Sequence, residues 1–183
     1  MTNAEQRSRF EAAIMPHLDA AYNLARWLLR NDADAEEAVQ EAYLRAYRFF
    51  GGFRGGDGRA WLLAIVRNTC YTQHGRLPGP GDSEEFDELV HTMDADSAGG
   101  NGRISRNPEA LAIAQADCDW VNRAIESLPL AFREVLVMRE IEGLSYKEIA
   151  RVIDIPLGTV MSRLARGRQQ LQASLTATAD KKE

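Results

Sequence analysis

The sequence predicts an all-α protein with two small helical domains, residues 10–76 and 108–175, joined by a flexible acidic linker at residues 77–107. In both predicted domains, apolar residues recur every three or four positions, which is the spacing of amphipathic helices. The linker is rich in glycine and acid, and it shows little periodicity apart from a short helical turn predicted at residues 84–90. No segment needs a strand to explain its pattern.

The charge is distributed unevenly between the linker and the domains. The net charge of −5 is unusual for a protein that binds nucleic acid, but residues 77–102 hold seven acidic residues and no lysine or arginine. The two predicted domains are therefore mildly basic. Because neutralisation of phosphates dominates the affinity for DNA, so weak a charge predicts poor DNA binding without a larger partner.

Two amphipathic helices open the first predicted domain. The first covers residues 10–28 and contains Pro16, so it starts late or kinks there. After a break and a cap, the second covers residues 35–50 and places Phe49 on its apolar side. Its other side is charged, with Leu44 exposed among the charges. A solvated face is the usual explanation of such a pattern, but the exposed leucine favours a docking surface.

A glycine-rich loop and an apolar helix complete this domain. Residues 51–58 hold five glycines, but neither a preceding strand nor a Gly-Lys-Ser/Thr ending is present, which argues against a nucleotide-binding loop. The aromatic ring of Phe53 and the cation of Arg54 suit contacts with unpaired bases, and an ordinary surface turn is the alternative. The third helix, residues 59–74, is apolar nearly all round and is expected to form the core.

The second predicted domain ends in a helix-turn-helix at residues 143–175, after two helices that begin at Pro108 and follow Pro129. In the first helix of the motif, Ser145 is the expected cap and Glu148 its capping-box partner. Residues 154–158 then break the pattern, because proline cannot continue a helix and glycine permits a tight turn. Thr159 is the expected cap of the second helix.

The second helix of this motif has an apolar side and a small, polar, cationic side. At about 100° per residue, Val160, Leu164 and Leu171 share the apolar side. The opposite side and its flanks hold the candidate DNA-contacting residues Thr159, Ser162, Arg163, Ala165, Arg166 and Gln169. No acid occurs between residues 156 and 178, and arginine can bond phosphates or guanine edges. The pattern therefore favours a DNA-reading helix over a surface helix with solvated arginines.

Several functional classes are disfavoured by what the sequence lacks. No nucleophile–base pair or metal-ligand set is present, so we expect neither an enzyme nor a metal or cofactor site. Cys70 and Cys118 show no metal spacing and predict reduced thiols in a cytoplasmic protein. No apolar run approaches the roughly 20 residues of a membrane span, and no signal peptide opens the chain.

Two blocks of sequence resemble the sigma-70 family of transcription initiation factors. Residues 34–47 (DAEEAVQEAYLRAY) and 61–68 (WLLAIVRN) are similar to conserved region 2, the second block to its promoter-melting helix. Residues 143–150 (GLSYKEIA) and 156–164 (PLGTVMSRL) are similar to region 4. Regions 1 and 3 have no counterpart, which points to the small extracytoplasmic-function (group IV) sigma factors. Met161 departs from the family, whose members often carry a basic residue there.

The resemblance implies a transcription initiation factor that binds core RNA polymerase and promoter DNA. The second helix would dock on the clamp helices of the polymerase β′ subunit through Asp34, Glu37, Gln40, Glu41 and Arg45. The loop and the third helix would bind and melt the −10 element, with candidate contacts at Phe53, Arg54, Asp57, Arg59, Arg67 and Asn68. The helix-turn-helix would read the −35 element while its domain rests on the β flap. The linker would thread the basic cleft of the polymerase, and an anti-sigma factor would hold the protein inactive.

An autonomous helix-turn-helix transcriptional regulator is the alternative from another class. Such a regulator would use residues 1–76 as a dimerisation surface or a ligand pocket, and it would bind duplex DNA alone. A sigma factor, in contrast, requires core polymerase.

Overall fold

The computed structural model describes residues 3–73, 75 and 108–179, so most of the predicted linker, including its helical turn at residues 84–90, lies outside the described residues. The secondary structure of the described residues is helical, as predicted. The first group of helices is α1 (Asn3–Ile14), α2 (Leu18–Leu29), α3 (Asp32–Phe49) and α4 (Gly58–Gln73). The second group is α5 (Pro108–Ser127), α6 (Leu130–Leu136), α7 (Tyr146–Ile153) and α8 (Leu157–Ala179).

The predicted first helix is in fact two helices. It begins at Asn3 rather than Phe10, and a 3₁₀ turn at Met15–His17 separates α1 from α2. Pro16 lies in this turn because proline has no N–H for a helical hydrogen bond and its ring clashes with the preceding turn. α1 packs Phe10 and Ile14 into the core.

The start and the end of α3 both differ from the prediction. The helix begins at Asp32, and its cap is Asn31, whose side-chain oxygen accepts a hydrogen bond from the N–H of Asp34 at 3.1 Å. At the other end, Phe49 is 67% exposed and Phe50 is buried, so the prediction that Phe49 faces the core is wrong. Phe50 follows the buried Ala46 by one helical turn, which places it on the core-facing side.

The prediction that the third helix forms the core is confirmed. Leu62, Leu63 and Val66 of α4 are fully buried, and α4 packs against α1, α2, α3 and α7. Its first residue approaches α1 very closely: a Cβ atom on Gly58 would lie 2.5 Å from the carbonyl oxygen of Ala13. Only a glycine fits here without movement of the backbone.

We expect Gly58→Ala to destabilise the fold by about 1–3 kcal/mol, because the added methyl group overpacks a rigid backbone contact. Urea denaturation followed by circular dichroism measures the change. Gly51→Ala is the matched control, since nothing lies within 4 Å of a Cβ at that position. Equal stabilities of the two variants would contradict the close approach of α4 to α1.

The helix-turn-helix forms from α7 and α8 with the predicted capping box. The Ser145 hydroxyl accepts from the N–H of Glu148, and the Glu148 carboxylate accepts from the N–H of Ser145 at 2.6 Å. Hydrogen bonds to its carboxylate from the side chain and then from the backbone N–H of Ser145 lower the pKa of Glu148, because they favour its charged form.

The turn of this motif differs from the prediction in two details. Its left-handed residue is Asp154, with φ of 60°, whereas Gly158 lies inside α8. Aspartate is one of the few residues besides glycine that tolerate this conformation. Thr159 is not the cap, because α8 already begins at Leu157; the N–H of Thr159 donates to the carbonyl of Pro156 at 3.0 Å.

The two groups of helices pack directly against each other. α2 packs against α6 and α4 packs against α7, and the buried apolar residues of both groups form one continuous core. The sequence predicted two separate domains and gave no sign of this contact.

Candidate nucleic-acid and polymerase interfaces

Helix α8 is anchored through its apolar side, as predicted. Val160 and Leu164 are buried, and Gly167 lets the helix lie close to α6, since a Cβ there would stand 3.0 Å from the Leu136 Cδ1 atom. The opposite side reaches solvent at Ala165 and Gln169. Thr159, Ser162 and Arg166 are half-buried, and Met161 is 48% exposed beside them.

Arg163 differs from the other predicted DNA-contacting residues of α8. Only 14% of its side chain is exposed, and its Nη1 atom lies 3.6 Å from the Oε1 atom of Glu134 in α6. The structure therefore places Arg163 against the protein, while the rest of the predicted face remains accessible.

The glycine-rich loop holds Phe53 in place and leaves Arg54 exposed. The Phe53 ring stacks on Phe50, with centroids 5.5 Å apart, and leans against Trp61 at 5.0 Å. Phe53 is half-buried, so part of its ring still faces solvent. Gly55 adopts a φ of 85°, a value that favours glycine.

Asp57 and Arg59 both have structural partners. An Asp57 carboxylate oxygen accepts from the N–H of Ala60 at 3.1 Å and so caps α4. Arg59 donates to the carboxylate of Glu142 at 2.8 Å and also to its backbone carbonyl. Asn68, in contrast, is exposed.

Arg67 lies in a buried cluster around one carboxylate, that of Glu134. The Nε and Nη2 atoms of Arg67 donate to the two oxygens of Glu134 at 2.8 and 3.2 Å. The Tyr71 hydroxyl donates to the same carboxylate at 2.9 Å. Arg67 and Glu134 are 4% and 1% exposed. We call Arg67, Tyr71, Glu134 and Arg163 the Glu134 cluster.

The charge of the Glu134 cluster is stabilised by its own hydrogen bonds. Burial by itself lowers the pKa of Arg67, but the hydrogen bonds and the negative charge of Glu134 outweigh burial and raise that pKa. Burial, assisted by the charge of Glu134, also raises the pKa of Tyr71. Arg67 therefore stays charged and Tyr71 stays protonated, which keeps all their hydrogen bonds to Glu134 in place.

The charged side of α3 is available for a partner. Glu37 and Gln40 are exposed, and Asp34, Glu41 and Arg45 are half-buried. Glu41 accepts from the Nε atom of Arg45 at 2.7 Å within one helical turn. All five predicted polymerase-binding residues thus reach the surface.

Sequence reasoning missed two aromatic residues beside this face. Tyr47 and Phe49 are exposed on opposite flanks of Leu44, at about 100° per residue, near the C-terminal end of α3. The Phe10 and Tyr47 rings meet edge to face, with centroids 5.2 Å apart, which holds the Tyr47 ring in place. Phe49 and Phe50 follow the buried Ala46 by three and four residues, so helical spacing alone did not decide which of the two rings is exposed.

Neither a metal centre nor a membrane span is found among the described residues. No group of three or more histidine, cysteine, aspartate or glutamate side chains could hold a metal there. No described helix is long and apolar enough to cross a bilayer. Cys70 and Cys118 are free thiols, and burial raises the pKa of Cys70 to about 12, so that thiol is unreactive.

Comparisons with known proteins match both halves of the chain. The Sigma-70 region 2 family matches residues 13–77, and the Sigma-70 region 4 family matches residues 118–171. The ECF RNA polymerase sigma-E factor of Escherichia coli K12 is 38% identical over 142 residues, which cover 75% of this chain and 72% of that protein. The chain belongs to the extracytoplasmic-function (ECF) sigma factors of the sigma-70 family.

Other relatives agree with this assignment. The ECF sigma factor SigE of Mycolicibacterium smegmatis is 32% identical over 166 residues, which cover 89% of this sigma factor and 60% of SigE. Among solved structures, the sigma factor RpoE of Bartonella quintana, crystallised with the anti-sigma factor NepR, is similar with a TM-score of 0.65 and 25% identity. The match covers 92% of this chain and 97% of RpoE. This protein is therefore an RNA polymerase sigma factor for promoter-specific initiation, not an autonomous regulator.

Proposed function

We propose that this sigma factor reads the −35 element with the outward side of α8 and the −10 element with the glycine-rich loop and α4. The observation that carries the proposal is the accessible face of α8, which holds Arg166 and Gln169 and has no acid along it. On the other half of the chain, Arg54 and Asn68 are exposed at the loop and at α4. The proposed domains are residues 10–76 and 108–175.

The α3 face is our proposed site for core polymerase. Its charged residues surround Leu44, and the exposed Tyr47 and Phe49 flank it near the C-terminal end of α3. Exposed aromatic residues next to charges suit a protein–protein interface, because the rings supply apolar contact and the charges give specificity. We place the β′ clamp helices on this face and the β flap on the domain that contains α8.

An anti-sigma factor is the proposed regulator. The support is the complex of the similar RpoE of Bartonella quintana with the anti-sigma factor NepR. We further propose that the protein acts without catalysis or a cofactor of its own. Since its polymerase and promoter partners are cytoplasmic, the cytoplasm is its proposed location.

A gel shift with and without core polymerase tests whether the protein needs core polymerase to bind promoter DNA. We expect no specific complex between the free protein and promoter duplex, and a specific complex once core polymerase is added. Specific, tight binding of the duplex by the free protein would support an autonomous regulator instead and would contradict the proposal.

Arg166→Ala should weaken recognition of the −35 element, because Arg166 lies on the accessible side of α8. A lost bidentate contact to a base costs about 1–3 kcal/mol, and the loss should be specific to one base pair. If Arg166 contacts only phosphate, the affinity for DNA should fall equally on all sequences. The slope of log affinity against log salt concentration should then shrink in magnitude by about one. Run-off transcription on promoters with each −35 base pair substituted measures this, with Arg168→Ala as the control, since Arg168 lies about 160° round the helix from Arg166 and pairs with Glu140. Unchanged transcription by Arg166→Ala would contradict the assignment of that face.

A further inference from the structure

We propose that Met161, with Ala165 beside it, reads the methyl groups of thymines in the −35 element. The inference rests on the proposed function, because it treats the accessible side of α8 as the surface that enters the major groove. Met161 lies outside the set of DNA-contacting residues that the sequence predicted on this helix. Its side chain is nevertheless 48% exposed near the start of α8.

An apolar row runs along one edge of the accessible side of α8. Leu157, Met161 and Ala165 follow one another at intervals of four residues, so each lies about 40° round the helix from the one before. All three are exposed, and Leu157 is 38% exposed. The buried side of the helix is formed by Val160 and Leu164 instead. The row is therefore apolar surface that the described residues leave uncovered.

A polar row lies beside the apolar one. Ser162 and Arg166 are also four residues apart, and each lies about 100° round the helix from the apolar residue that precedes it, Met161 or Ala165. One row thus carries hydrogen-bonding groups and the other carries apolar groups. Base pairs present the same two kinds of group in the major groove, since every pair has donors or acceptors and only thymine has a 5-methyl group.

The charges of the helix-turn-helix favour DNA over an apolar protein surface as the partner of this row. Helix α8 has no acidic residue from Leu157 to Ala179, and Arg166 lies on its accessible side. On α7, Lys147 and Arg151 are exposed one helical turn apart. An apolar protein surface laid over the motif would desolvate these cations without neutralising them, whereas the phosphates that flank a major groove neutralise them.

The side chains of the apolar row suit methyl groups in chemistry and in reach. Methionine has three rotatable bonds and a polarisable thioether, so its end can adapt to a group whose position the DNA sets. Alanine presents a methyl group, which makes an apolar contact with the methyl group of thymine. At a rise of about 1.5 Å per residue, Met161 and Ala165 are about 6 Å apart along α8. Because base pairs stack about 3.4 Å apart, the two side chains can reach one or two thymines.

The test begins with the −35 sequence that the holoenzyme, this protein bound to core polymerase, selects for itself. A promoter found by run-off transcription is given a randomised upstream element, and the duplexes that the holoenzyme binds are sequenced. Each thymine of the selected element is then replaced by deoxyuridine, which removes the 5-methyl group and keeps every hydrogen-bonding group in place. The measured quantity is the affinity of the holoenzyme for each duplex at one fixed salt concentration.

Deoxyuridine at one or two positions should weaken binding of the parent holoenzyme about fourfold, which corresponds to about 0.8 kcal/mol for one methyl group removed from an apolar contact. With Met161→Ala, thymine and deoxyuridine should bind equally at the position that Met161 contacts. Met161→Leu keeps the apolar volume and should keep most of the discrimination. Met15→Ala is the matched control, since Met15 is 47% exposed on the other half of the chain and should leave the discrimination unchanged.

Circular dichroism verifies that the Met161 variants keep their helices, and the deoxyuridine series with the parent needs no variant at all. A selected element without thymine, or equal binding of thymine and deoxyuridine by the parent at every position, would overturn the inference. Unchanged discrimination by Met161→Ala would overturn it too, and weaker binding of that variant to core polymerase would then identify the apolar row as a protein contact. Failure of the proposed function is distinguishable, because the parent holoenzyme would then select no upstream sequence.

Discussion

Glu41→Lys should abolish co-purification of this sigma factor with core RNA polymerase while its helical content stays unchanged. Glu41 and its partner Arg45 are half-buried on the proposed polymerase-binding face of α3, and the buried Val39 and Ala46 lie about 140–160° round the helix from Glu41. A like charge brought against a partner costs several kcal/mol at an interface, which is more than a hundredfold in affinity. The repulsion that Arg45 adds within the helix is only about 0.2–0.5 kcal/mol, so the fold should survive.

Glu36→Lys is the matched control for this experiment. Glu36 is exposed on the same helix, but it points away from Glu41 by about 140°, at about 100° per residue. The control should co-purify with core polymerase as the parent does. Retention of polymerase by Glu41→Lys, or equal losses in the two variants, would contradict the assignment of this face.

Replacement of Phe53 and Arg54 by alanine should block open-complex formation on duplex promoters. The stacking of one base on an aromatic ring is worth about 1–3 kcal/mol, and the cation of Arg54 adds a phosphate contact. Binding to core polymerase and reading of the −35 element should persist, because they use α3 and α8. A template with a pre-melted −10 bubble should rescue the variant only in part, since a bubble removes the cost of melting but does not restore the lost contacts.

The packing of Phe53 requires a further control. Because its ring stacks on Phe50 and contacts Trp61, the alanine substitution also weakens the fold near the loop. Phe53→Leu with Arg54 kept retains apolar volume and removes the stacking plane, so it should be stable but impaired in opening. Permanganate footprinting of unpaired thymines measures the opening. Full opening by the double alanine variant would mean that this loop is an ordinary surface turn.

Features with a local cause were predictable from the sequence. The capping box of Ser145 and Glu148 needs only two residues at the right spacing, and the structure has it. The apolar period of α8 identified Val160 and Leu164 as buried, since one helix face must pack against the protein. The apolar composition of α4 likewise identified the central helix of the fold.

Local ambiguities account for several errors in the element boundaries. The polar start of α1 carries no clear apolar stripe, and the helix is fixed by the burial of Phe10 and Ile14 at its end. Both glycine and aspartate tolerate the left-handed region, so composition alone did not decide that Asp154 is the turn residue.

The contact between the two halves was not predictable, because it joins residues far apart in the chain. Arg67 and Glu134 are 67 positions apart, and neither periodicity nor spacing relates them. In the sequence, Glu134 is one more charge on an amphipathic helix. Its burial, and hence the placement of Arg67 and Arg163 against it, depends on how α4, α6 and α8 meet in three dimensions.

The most direct test of the account is run-off transcription by purified core polymerase on a library of genomic promoter fragments, with and without this protein. The account predicts transcripts only when the protein is present, each starting downstream of a paired −35 and −10 sequence. Arg166→Ala should alter the preference at the upstream element, and the Phe53 and Arg54 double variant should reduce initiation throughout. Transcription that needs no −10 sequence, or no transcription from any fragment with core polymerase present, would contradict the central claim that the two halves of this chain read the two promoter elements.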